Sequence, residues 1–385
     1  MAFTIKHSTG YRETATIQNE KPTVDRSSKR PPIHYIIWRI GIGGIELGVN
    51  HFIHEYSSSH KLHVYGLRAV ENTIYDESKV HVELGGLKKG NAYINYFKYC
   101  RANSQEYFHL LNVGPIVLLL TLLAGIKNPL YHIRGTVYWN NNFQKLYLKT
   151  AWLLSWALSS VVGKIDFICN SLHGISIFQK EVLPLQPELI YNGFEVNTYL
   201  KKRHLRTQLK RIAYIGRLHS GKNVHLVIRL FNSIAKDHQG LELHLAGDGS
   251  LRPELEAQAQ QSPYRDQIFF HGHVDDVPSF YASADLFLFL SAYESFGNVL
   301  AEALLTGLPV LTSNIPVFEE IHGGEAAFLL GDPDDYPALE RNLADAIARF
   351  PELADKAYKT SDYVREKFDI QKHLSEINRI YEKRQ

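Results

Sequence analysis

LFLFLSAYESFGNVLAEALLTGLPVLT, residues 286–312, puts a strand, a loop, a helix and a second strand into one short run of chain. The apolar run 286–290 has the length of a buried strand. SAYESFG then breaks it with Glu294, Ser295 and Gly297, and NVLAEALL returns apolar residues at helical spacing. Gly307 and Pro309 stop the helix, and 309–312 opens another apolar run. Strand, crossover helix and strand make the unit of a parallel α/β sheet. The helix start is an anion site, because its first N–H groups are unpaired and the macrodipole is positive there. With a phosphate at that tip, Glu294 stands at the loop and Glu302 about one turn down the helix. One ligand meets both carboxylates if it carries hydroxyls on both flanks of its phosphates, as a nucleotide sugar does.

The same alternation extends outward in both directions. Upstream, 210–215 (KRIAYI) reads as a strand feeding the loop Gly216-Arg217-Leu218-His219-Ser220-Gly221-Lys222. Further strands are expected at 242–246 and 268–271. In the first half, 33–38 (IHYIIW) runs into Gly41-Ile-Gly43-Gly44 and a helix, with more strands at 61–67, 80–84, around 131–133 and at 166–170. The expected fold is α/β, with two Rossmann-like parallel-sheet domains. Residues 1–30 read as a polar extension, 31–197 as the first domain and 198–368 as the second. In 369–385, Ile370, Leu374, Ile377, Ile380 and Tyr381 recur at helical spacing and mark an amphipathic helix.

Composition agrees with this division. A chain of 385 residues fits two or three domains, and 45% apolar content excludes wholesale disorder. Forty-two basic against 40 acidic residues leave +2, which argues against a nucleic-acid partner. Cys100 and Cys169 are too few for a disulfide framework, and a reducing cytoplasm is expected. The N-terminus lacks the apolar core of a secretory signal. The apolar runs 113–126 and 151–162 fall short of the ~20 residues that span a bilayer. Both are expected in buried helices. The alternative is that one of them, with Trp152 and Trp156, rests on a membrane surface.

Arg217 and Lys222 sit on a loop that follows a strand, so they face the crevice where ligands of open α/β sheets bind. A planar guanidinium fork and a compact ammonium together suit a departing diphosphate. The loop at Gly43 and Gly44 invites a nicotinamide reading. That reading fails, because Gly48 has the wrong spacing and no acidic residue ends the second strand. Backbone approach to a phosphate or sugar remains for this loop, beside a plain tight turn.

Together these residues resemble the retaining glycosyltransferases of family 4, of the bacterial exopolysaccharide or lipid-linked glycan type. The features are Gly43-Gly44-Ile45-Glu46, Asn192-Gly193, Gly216-Arg217 with Lys222, Ala246-Gly247-Asp248-Gly249, His271-Gly272-His273-Val274, Ala284-Asp285, the Glu294 and Glu302 pair, and Gly307-Leu-Pro-Val310. The resemblance implies a GT-B fold, in which two domains face a deep cleft and the last helix crosses back to the first. It implies that the second domain binds a UDP-sugar, with Arg217 and Lys222 on the diphosphate beside Gly216, and Glu302 on the ribose. Glu294 would orient the sugar, Ser295, Phe296, Gly297, Asn298 and Val299 would line the donor, and His273 and Val274 would hold the base. Family members often carry a His-Gly pair on the first-domain segment that reaches the sugar. Here the chain reads Tyr131-His132-Ile133-Arg134-Gly135, so His132 or Arg134 takes that place.

The implied reaction moves a hexose, with glucose expected and galactose, an N-acetylhexosamine or a GDP-sugar as alternatives, onto a hydroxyl with retention. The acceptor is expected to be a polysaccharide or lipid-linked glycan, with peripheral contact at the inner face of the membrane. No resident cofactor is implied. With no Asp-x-Asp string read in the chain, a metal-independent site is expected. The competing readings are a nucleotide-sugar epimerase, which needs no acceptor, and a non-catalytic nucleotide-sugar-binding protein.

Overall fold

A computed structural model describes residues 30–40, 44–68, 75–85, 91–135, 142–201, 209–325 and 328–383. The expected extension, apart from its last residue, lies outside these residues, as do Gly43 and most of the polar segment 197–208. Strands β1 (Ile33–Arg39), β2 (Leu62–Arg68), β3 (His81–Leu84), β4 (Tyr107–Leu111), β5 (Leu130–Ile133), β6 (Asp166–Cys169) and β7 (Glu188–Leu189) form one parallel sheet. Their order is β3-β2-β1-β4-β5-β6-β7. A second sheet holds β8 (Arg211–Ile215), β9 (Glu242–Ala246), β10 (Ile268–Gly272), β11 (Leu286–Phe289), β12 (Val310–Ser313) and β13 (Leu329–Gly331), in the order β10-β9-β8-β11-β12-β13. Every residue of β11 is buried, which is why its sequence is a continuous apolar run.

Both sheets reverse direction at one point, between β1 and β4 in the first and between β8 and β11 in the second. Loops that leave the carboxyl ends there open a crevice. The loop 216–222 follows β8 and the loop 290–297 follows β11, so topology alone makes them neighbours.

Two strands, β4 and β13, lie where no strand was expected, and β7 is the strand expected before the Asn192-Gly193 turn. β7 and β13 are two and three residues long, too short to show a period. β4 (YFHLL) has a histidine at its centre, and that polar residue hides a strand that is almost wholly buried. His109 tolerates burial because its Nδ1 lies 2.7 Å from the Tyr381 hydroxyl of the final helix, a partner remote in sequence. The run 113–126 falls mainly in the helix Pro115–Leu123, with Val117, Leu118 and Leu122 in the core as expected. The run 151–162 departs from expectation. It is the second half of the helix Asn142–Val162, which buries Trp152 and Ser155 but exposes Leu153, Leu154, Trp156 and Val161.

The chain crosses back after the helix Phe350–Lys367. Phe194 N–H donates to the Phe368 carbonyl at 2.9 Å, and Ile370 N–H donates to the Phe194 carbonyl at 2.9 Å. The helix Ile370–Glu382 then packs Ile370, Leu374, Ile377, Ile380 and Tyr381 into the same core as Ile33, Tyr35 and Phe52 of the first domain. Burying five such side chains is worth roughly 10 kcal/mol as an upper estimate. Polar contacts also join the domains beside the crevice. The Glu320 carboxylate accepts from the N–H groups of Leu172 (2.8 Å) and His173 (2.7 Å), at the start of the helix Leu172–Glu181. Ser171, which caps that helix, donates its hydroxyl to the Ser295 carbonyl at 2.7 Å.

Candidate active site

A cavity of about 440 Å³ lies where the two domains meet. Its second-domain wall includes Gly216, Arg217, His219, Lys222 and Phe289, and the run from Glu294 to Val299. Lys222 forms an ion pair with Glu294, and both side chains are mostly buried. The Ser291 hydroxyl donates to the same Glu294 oxygen at 3.0 Å, and the Lys222 ammonium lies 5.4 Å from the centre of the Phe289 ring. The two loops are also stitched through backbone, with Ala292 N–H donating to the Gly221 carbonyl at 2.9 Å. His219 accepts the Gly221 N–H on Nδ1 at 3.1 Å. Burial, followed by the charges of Lys222 and Arg217, holds its pKa below the ordinary value.

Gly297 is the N-cap of the helix Asn298–Leu305 at φ 102°, a conformation that leaves no side chain to cap the first N–H groups. A Cβ there would also lie 2.9 Å from the Phe318 ring. These open donors face the cavity beside Arg217 and Lys222, so the wall gathers fixed positive charge from two side chains and a helix terminus.

Arg134, Asn170 and Asn192 form the first-domain wall. β5 ends at Ile133, so His132 and Arg134 need not share a face, and of the two only Arg134 lines the cavity. Its Nη2 donates to Asn192 Oδ1 at 3.1 Å, and Asn192 Nδ2 donates across the domain boundary to Asn298 Oδ1 at 2.8 Å. The guanidinium lies over Gly48, where a Cβ would come within 2.3 Å of Nη1. That glycine, which fits no dinucleotide pattern, leaves room for an arginine. His132 is fully buried behind the wall, with Nδ1 3.4 Å from His109 Nε2 and no partner for its own Nε2 among the described residues. Burial, then the nearby Arg134, holds its pKa well below the ordinary value, so the ring is neutral.

Other expected site residues do not line this cavity. Glu302 is half-buried on the helix Asn298–Leu305, accepts from the Tyr281 hydroxyl at 3.1 Å, and has its carboxyl pushed up to about 7 by burial. His273, exposed, and Val274 follow β10, and the His273 ring lies 3.5 Å from Asp275. Gly44 starts the helix Gly44–Tyr56. Residues not singled out beforehand as ligands include Asn170, Asn192 and His219. Asn192 had been read only as part of a turn, and its position between Arg134 and Asn298 is visible only in three dimensions.

The reading of no Asp-x-Asp string needs correction, because Asp332-Pro-Asp334 is one. It lies in the turn after β13, where Asp332 Oδ1 accepts the Asp334 N–H at 2.9 Å. The following Asp335 caps the helix Tyr336–Ala348. None of the three lines the cavity. Both cysteines are buried free thiols, pushed up to about 12 at Cys100 and about 11 at Cys169, and take no part here.

Residues 196–365 match the family described as glycosyl transferases group 1. The chain is 26% identical over 285 residues to the N-acetylgalactosamine-N,N'-diacetylbacillosaminyl-diphospho-undecaprenol 4-alpha-N-acetylgalactosaminyltransferase of Campylobacter jejuni, covering 71% of this chain and 75% of that one. It is 23% identical over 295 residues to the O-antigen biosynthesis glycosyltransferase WclY of Escherichia coli, covering 72% and 78%. Among solved structures, HepE of Anabaena in complex with UDP superposes with a TM-score of 0.73 at 19% identity, over 91% of this chain and all of that one.

Proposed function

We propose that this chain, a GT-B glycosyltransferase that carries a group 1 domain and uses nucleotide sugars, transfers glucose from UDP-glucose to a hydroxyl of a polysaccharide or lipid-linked glycan, with retention and without a metal. Residues 198–368 act as the donor domain and 31–197 as the acceptor domain, with the last helix tying the two together. Arg217 and Lys222 hold the diphosphate, and the backbone donors from Ser295 to Val299 complete its cradle. Glu294 orients the transferred sugar, Glu302 takes the ribose hydroxyls, and His273 with Val274 holds the base. Arg134 approaches the sugar from the first domain, with neutral His132 behind it.

The observation that carries this reading is the cavity between the domains, where fixed positive charge on one wall meets the Arg134-Asn192 wall across the cleft. In the reaction the acceptor oxygen bonds to the anomeric carbon as the bond from that carbon to the phosphate oxygen breaks. The electron pair leaves with the diphosphate, which also takes the acceptor proton on the same face. The barrier is charge developing on the leaving group, and positive groups already in place lower it most effectively. No protein nucleophile is required. The names of the Campylobacter jejuni and Escherichia coli relatives support a glycan acceptor, and the HepE complex supports UDP as the carrier. The stereochemistry is tested on the isolated product by NMR. An α-linked donor gives an α-linked product, and a β-linked product overturns the retaining assignment.

A further inference from the structure

Between Arg217 and Lys222, on the same loop, His219 turns a third polar side chain to the cavity. The backbone decides which of its nitrogens carries a proton. Gly221 N–H can only donate, and it meets Nδ1 at 3.1 Å, so Nδ1 presents its lone pair. In a neutral imidazole the proton then sits on Nε2. A second proton on Nδ1 would displace the Gly221 N–H. Burial opposes that second proton first, followed by the charges of Lys222 and Arg217, while Glu294 acts in the other direction. The net effect lowers the pKa, so near pH 7 the ring is neutral and donates only through Nε2.

The loop that carries this donor is fastened on several sides. Lys222 N–H donates to the His219 carbonyl at 2.9 Å, and the Gly221 carbonyl accepts from Ala292 N–H at 2.9 Å. Asn223, next in the chain, donates Nδ2 to the Leu290 carbonyl at 3.0 Å. The two loops approach so closely that a Cβ at Gly221 would lie 2.7 Å from the Tyr293 hydroxyl. With Nδ1 turned to its own loop, Nε2 is the polar edge of the half-buried ring left for the cavity, and none of the described residues accepts from it. An open N–H beside two cations suits an anionic oxygen. We infer that His219 is a further catalytic residue, whose Nε2–H donates to an oxygen of the donor's diphosphate and stabilises that group as it departs. The imidazole keeps its proton throughout. Arg217 and Lys222 supply charge, whereas His219 supplies a directed neutral donor already in place when charge develops. This role rests on the reading of a nucleoside diphosphate sugar as the donor.

Two substitutions separate the two nitrogens. Asparagine places its Oδ1 near the site of Nδ1, so His219→Asn keeps an acceptor for the Gly221 N–H and removes the donor at Nε2. Glutamine reaches further, so His219→Gln keeps a donor near the site of Nε2. Binding of UDP and of uridine, which lacks phosphate, is measured for the full chain and both variants, together with melting temperature and transfer rate. His219→Asn melts like the parent, binds uridine like the parent, and loses about tenfold or more in both UDP affinity and kcat. His219→Gln binds UDP within about threefold of the parent. UDP affinity at the parental level in His219→Asn overturns the inference. So does an equal loss of uridine and UDP binding, which marks a change of loop shape. Should His219→Asn melt early, His219→Gln decides, because a loss of about tenfold in its UDP affinity overturns the inference. A parent that binds uridine as tightly as UDP overturns the diphosphate reading itself. A parent that prefers UDP, with a preference that His219→Asn retains in full, removes only His219 from the reaction.

Discussion

Lys222 and Glu294 form an ion pair in the lining of the cavity, and the Ser291 hydroxyl donates to the same Glu294 oxygen. On the proposed reading, a diphosphate entering here would compete for Lys222 and leave Glu294 to accept sugar hydroxyls. Removing either group takes away one preorganised stabiliser, so Lys222→Ala and Glu294→Ala each lower kcat by about 10²-fold or more, measured as nucleotide release at saturating donor. Near-normal rates in both remove the assignment. Glu302 makes a different prediction. Its pKa rises in the folded chain from 4.5 to about 7 because burial penalises the carboxylate. Between those values the folded state keeps a proton that the unfolded state has lost, so this group's contribution to stability falls as pH rises through the window. The upper bound is on the order of 3 kcal/mol. Glu302→Gln is therefore expected to melt higher than the parent at about pH 8 and to bind UDP about tenfold more weakly. A variant that melts lower and binds UDP normally contradicts the ribose role.

Elements decide which residues meet. The strand, loop and helix of 286–305 were legible because Leu286–Phe289 is buried on both faces and Gly297 punctuates the helix start. That loop 216–222 could face the same crevice was legible from its place after a strand, whereas the reversal of strand order that makes the two loops neighbours shows only in the fold. The first-domain wall was not legible. Where β5 stops decides between His132 and Arg134, and strand ends are the least certain feature of any sequence pattern. The route from Arg134 through Asn192 to Asn298 joins residues remote in sequence, which no local period encodes. Helix Gly44–Tyr56 enters this wall through Gly48. Gly48→Ala raises helix propensity yet drives a methyl into the Arg134 guanidinium. The expected outcome is a fold of near-parental melting temperature with a lower kcat/KM, restored in part by adding Arg134→Gln. An alanine variant with full activity contradicts the placement of Arg134 at the sugar.

At the scale of the whole molecule, the final helix and the Glu320 contact hold the two domains on either side of the cavity. The charge balance of +2 conceals the local arrangement, because Arg217 and Lys222 are gathered on one wall of the cavity. The most direct measurement of the central claim is UDP release from UDP-glucose, with and without a glycan acceptor and with and without a chelator. The account predicts release that depends on the acceptor and is unchanged by the chelator. Conversion of the donor sugar without acceptor, UDP binding without turnover, or activity abolished by the chelator would contradict it.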